Sequence, residues 1–123
     1  MMDTLTNLQP YLQFANERAQ ALKQAIDTLE TQHRQDEANL CKVKLNIVEV
    51  LLTIADVYSK NTADWEKFAQ LYERRFEMLI EPWHKRYQTA QEHGDTVTMV
   101  IEEAKIATAT QLRAAFLHVK GVL

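Results

Sequence analysis

Glycine and proline are scarce in this chain, two of each in 123 residues. So few turn-formers argue against a β-sandwich and for a few long helices. A single cysteine, Cys41, excludes an internal disulfide. No apolar run reaches the roughly 18 residues that cross a bilayer, because charges interrupt every stretch. Neither sign of charge dominates: 17 acidic and 14 basic residues leave a net charge of −3, and both signs run evenly through the chain. That balance gives no electrostatic footprint for nucleic acid or an anionic membrane. The amino end, MMDTLTNLQP, lacks the basic-then-apolar order of a secretory signal, so a cytoplasmic setting is expected.

The length suits one domain, residues 1–123. Asn61 and Thr62 read as N-cap residues with Asp64 supporting the first turn, and Gly94-Asp95 reads as a helix stop followed by a cap. A polar stretch from Glu30 to Glu37 supplies a third boundary. The expectation is an all-α, antiparallel up-down-up-down four-helix bundle with helices at about 8–32, 37–59, 62–93 and 96–120. Because residues 30–37 contain no breaker and the heptad register runs through them, one long helix over 5–58 in a helical dimer is the alternative. No internal repeat is evident in the sequence.

Two seams are lean. The first helix offers Leu5, Leu8, Leu12, Ala15, Ala19, Leu22, Ile26 and Leu29, and the fourth Val97, Ile101, Ala104, Thr108, Leu112, Ala115 and Val119. The third is heavy: Trp65, Phe68, Tyr72, Phe76, Leu79, Trp83, Tyr87 and Ala90 share one face, so bulky rings are expected to face small residues. Pro82 is expected to kink that helix near Met78.

The second helix carries a surplus. Its polar residues fall on one stripe, leaving an apolar arc of roughly 240°, about twice what a surface helix needs. Leu40, Val43, Ile47, Val50, Ile54 and Val57 are therefore interface candidates, joined by a second stripe on the fourth helix, Met99, Ile106 and Leu117. A surface of this kind is most often covered by a two-fold copy.

Three constellations invite chemistry. Glu30-x-x-His33 and Glu81-x-x-His84, with Glu37 and Glu103, resemble the ligand set of ferritin-like di-iron carboxylate proteins, which implies a metal site between helices. Glu81, however, falls opposite the aromatic stripe, and the two pairs sit on helices one and three where that family has them on two and four. Arg113-x4-His118, and more loosely Arg86-x6-His93, resemble the arginine–histidine signature of HEPN-type ribonucleases and nucleotide-binding domains, over six residues only, with Ala114 where that family has a polar residue. Lys44, Arg75 and Arg86 lie on or beside apolar faces and need counter-charges: Asp27, Glu77 or Glu81 for Lys44, Glu103 for Arg86, or else an anionic ligand. Cys41 borders an apolar arc with no histidine partner, as an inert core thiol does.

No catalytic residue, metal ligand or cofactor is assigned from these patterns. The sequence points to a soluble bundle that acts by self-association or by binding another protein, as an adaptor, chaperone or regulatory subunit without catalytic activity. The competing class is a ligand- or metal-binding bundle.

Overall fold

The computed structural model describes residues 3–121. The ends of the expected 1–123 domain, Met1, Met2, Val122 and Leu123, lie outside the described residues. Four helices follow one another with no strand among the described residues: α1 Thr4–Thr31, α2 Gln35–Asn61, α3 Trp65–Glu92 and α4 Thr96–Lys120. They form the antiparallel four-helix bundle read from the sequence. The turn at residues 32–34 excludes the single helix over 5–58. There His33 takes φ 59, a left-handed conformation that ends α1.

Two helix starts differ from expectation. α1 begins at Thr4 and not near residue 8, because the Asp3 carboxylate caps it by accepting from the Leu5 N–H. α3 begins at Trp65 and not at 62, since Asn61 still belongs to α2 and Asp64 is the cap, accepting from the Glu66 N–H. Gly94 and Asp95 act as the sequence implied: Gly94 has φ 67, and Asp95 accepts from the Thr98 N–H. α3 runs through Pro82 as one element. The ring removes the donor for the Met78 carbonyl, but both residues are exposed, where water can take it.

The two hairpins, α1–α2 and α3–α4, superpose in their chain logic at an offset of 61 residues. Asp3 and Asp64 cap their first helices, each 28 residues long, in the same way. In the first turn His33 N–H bonds Glu30 and Arg34 N–H bonds Leu29, and in the second Gly94 N–H bonds Gln91 and Asp95 N–H bonds Ala90, position for position. Equivalent residues also meet: Asp3 and Asp64 form an isolated antiparallel bridge, and the Tyr11 and Tyr72 hydroxyls lie 2.6 Å apart. Contacts between equivalent residues place an approximate two-fold axis between the hairpins, parallel to the helices.

This relation decides the core. α2 and α4 are equivalent and pack on each other across the axis, so each touches all three other helices, whereas α1 and α3 meet least. At the end holding the starts of α1 and α3, six rings cluster. Tyr72 contacts Phe76 and Phe116 edge-on at centroid distances of 5.0 Å each, Tyr11 meets Phe116 at 5.5 Å, and Trp65 stacks on Phe68. Edge-on and offset ring pairs of this kind add to plain area burial. Rings meet rings here as well as small residues. Tyr11 and Phe116, absent from the seams expected of α1 and α4, are fully buried, while Leu5 and Val97, expected in those seams, are exposed.

Candidate functional site

The apolar surplus of α2 is mostly consumed within the chain. Ile47 is buried, Leu40, Val43, Val50 and Ile54 are half-buried, and only Val57 is exposed. Of the α4 stripe, Met99, Ile106 and Leu117 are all half-buried, and Ile106 packs against the core. The width of both apolar faces thus has a physical cause inside the monomer: a helix with three neighbours needs more apolar arc than one with two.

Val57 is left at the other end of α2, and a further apolar remainder lies at the far end of the axis, beside the two hairpin turns. There the first two turns of α2 and α4 stand apart and enclose a groove of about 550 Å³, lined by Leu40 and Val43 on one side and Val97, Val100 and Ile101 on the other. Val97 is 69% and Val100 49% exposed, so this wall is open to solvent. The two walls are built from equivalent positions but differ in chemistry. Asp36, Glu37 and Asn39 on α2 correspond to Val97, Thr98 and Val100 on α4. One lip is therefore acidic and polar, the other apolar.

The cation candidates part company. Arg86 pairs with Glu102 at 3.3 Å, and Lys105 holds the other carboxylate oxygen of Glu102 at 2.8 Å. Glu102, only 2% exposed, is the acid that sequence spacing had given as Glu103. Glu102 shares with Arg113 and Lys120 the face of α4 turned to α3, where those two meet Glu73, while Glu103 is a hundred degrees further round and exposed. Lys44 and Arg75 are half-buried, and among the described residues neither forms an ion pair. The Arg75 Nε is buried without a hydrogen-bond partner. Of the acids proposed for Lys44, Glu77 holds Arg113, Glu81 holds Lys85, and Asp27 forms no ion pair among the described residues.

The metal-like and HEPN-like patterns do not assemble into sites. Glu30 binds Lys42, Glu37 binds Arg34, and His33 sits exposed in its turn. Among the described residues no three histidine, cysteine, aspartate or glutamate side chains converge as metal ligands would. Arg113 is committed to Glu73 and Glu77, with His118 exposed beyond it. Arg86 and His93 do share a shallow notch of about 340 Å³ with Lys85, Asp95 and Thr98. Its charges are already matched, by Glu81 and Glu102, and by the Thr98 hydroxyl and N–H, which hold the Asp95 carboxyl below its ordinary pKa. Cys41 is a free, half-buried thiol packed against the core.

The polar feature that the sequence did not reveal is the tyrosine pair. Tyr72 donates to the Leu51 carbonyl at 2.8 Å, which leaves Tyr11 as donor to the Tyr72 oxygen. Both hydroxyls are pushed well above the ordinary tyrosine range, chiefly by burial. A neutral, satisfied pair of this kind pins α1, α2 and α3 together and offers no exposed reactive group.

No helix among the described residues is long and apolar enough to cross a membrane. Searches against family models, curated proteins and solved structures find no match to this chain.

Proposed function

We propose that this bundle works by association, with a second copy of itself or with another protein, and that it has no catalytic activity of its own. The observation that carries this reading is the solvent-open apolar groove at the turn end, where Val97 is 69% and Val100 49% exposed side by side. Exposed apolar surface gathered in one concave place marks contact sites more often than isolated exposed residues do. An adaptor, chaperone or regulatory subunit has this character, and the single unpaired Cys41 suits a cytoplasmic setting.

Self-association is the first form to test. Sedimentation or light scattering at micromolar concentration decides it: twice the 14.3 kDa chain mass makes a second copy the partner. A mass of one chain at every concentration would remove the homodimer and leave only a different partner.

A second reading, binding of an anionic ligand, has one observation behind it: half-buried Lys44 and Arg75 lack carboxylate partners among the described residues. Titration with inorganic phosphate tests it, and Lys44→Met and Arg75→Met should abolish any heat that appears.

A further inference from the structure

We propose that the groove between the amino ends of α2 and α4 seats a short, positively charged amphipathic helix of a partner protein. The inference rests on the association reading above and names its occupant.

Shape comes first. The walls follow the first two turns of two parallel helices, with Leu40 and Val43 facing Val97, Val100 and Ile101. Residues at helical spacing on both sides make a furrow into which a third helix packs, its anchors repeating at three and four residues. Two turns span only about 10 Å. That length takes two apolar anchors about one turn apart, not a long helix.

Charge comes second. The acidic lip, Asp36 and Glu37, stands across the groove from Val97, Val100 and Ile101, and the position equivalent to Asp36 is Val97. Glu37 has Arg34 as a neighbour, whereas Asp36 has no ion pair among the described residues. An occupant matching both lips has an apolar side and, next to it, lysines or arginines.

The same asymmetry speaks against a second copy. Two grooves set face to face would place the acidic lips either against each other or against bare valines, and both arrangements bury unpaired carboxylate. Stable dimers also bury roughly 800 Å² per partner, more than a furrow two turns long can supply.

The test uses the whole chain and a labelled helical peptide of about 18 residues, built from alanine, lysine and leucines spaced i, i+4 along one face, followed by fluorescence anisotropy. Its counterpart replaces every lysine by glutamate. The lysine peptide should bind saturably, and the glutamate peptide about tenfold or more weakly. The deciding variant is Val100→Asp, at an exposed position whose melting temperature should hold. It adds negative charge while removing apolar wall, so seating in the groove predicts about tenfold weaker binding. Diffuse charge attraction predicts tighter binding, and that result would overturn the proposal. Asp36→Asn with Glu37→Gln should weaken the lysine peptide several-fold and leave its leucine dependence intact. Equal binding of both peptides, or of neither, also overturns it.

Sedimentation of the same samples separates the two readings. If the parent is a dimer that Val100→Asp dissociates, a second copy fills the groove and the helix proposal falls while association stands. If the parent is a monomer that binds the lysine peptide, the helix proposal stands and self-association falls.

Discussion

The two hairpins share one backbone plan and fill it with different chemistry. Ala15 and Ala55 of the first correspond to Phe76 and Phe116 of the second, so buried small residues in one half stand where the other half has buried rings. Cys41 and Lys44 correspond to Glu102 and Lys105. One half-buried lysine has its carboxylate and the other has a thiol in its place. His33 corresponds to Gly94 at the left-handed turn position. The lesson is that a near-symmetric bundle is held by complementary, not identical, halves, and each mismatch can be tested by making the halves alike.

The largest effect belongs to the rings. Phe76→Ala should cost about 3–5 kcal/mol, as large-to-small changes in closed cores do, against a total of about 5–15 kcal/mol for a domain of this kind. Chemical denaturation measures it. Adding Ala15→Phe to Phe76→Ala moves a ring across the axis and should recover about 1 kcal/mol or more, because neighbours about a shared void couple. No recovery would mean that the two sites are equivalent in sequence offset but not in space.

Tyr11 and Tyr72 are the place where the halves are equal, and they set the alkaline limit. Their folded-state pKa values lie above the unfolded value of 10.0. The folded state therefore holds protons that the unfolded chain releases. Their contribution is whole below pH 10 and is lost as pH rises above it, by about 1.4 kcal/mol per pH unit for each tyrosine. Urea midpoints should stay level up to about pH 9 and fall above 10, and the fall should be shallower in the Tyr11→Phe, Tyr72→Phe double variant.

The lysines should respond with opposite signs. Lys105→Met leaves the buried Glu102 with Arg86 alone and should cost about 1–3 kcal/mol. Lys44→Met removes a half-buried cation that has no carboxylate partner and should be neutral or stabilising by up to about 1 kcal/mol. A loss at Lys44 as large as that at Lys105 would show that Lys44 has a counter-charge after all.

Smallest is the turn pair. His33→Gly should stabilise by about 0.5–1 kcal/mol by relieving a left-handed non-glycine, and Gly94→Ala should destabilise by about as much. Thermal melts of the two single variants decide this, and equal signs would contradict the shared turn geometry.

Local rules made much of this protein legible. The scarcity of glycine and proline, the breaks near Asn61 and at Gly94-Asp95 and the single-face spacing from Trp65 to Ala90 pointed to four helices and to a ring-rich core face on α3, since periodicity and capping act within a few residues. That Asp3 and Asp64 are the actual caps emerged only in the structure. The approximate two-fold was not legible. Across it only Asp3/Asp64, Gln9/Gln70, Tyr11/Tyr72, Thr28/Thr89, Lys44/Lys105 and Leu51/Leu112 keep the same residue. Which faces meet depends on contacts about sixty residues apart, and helical spacing says how wide an apolar face is, not how many neighbours cover it. Tertiary packing alone therefore decided that α2 and α4 would spend their surplus on each other, that Tyr11 and Phe116 would join the rings of α3, that Glu102 would hold Arg86, and that Val97 and Val100 would stay open in a groove with unlike lips.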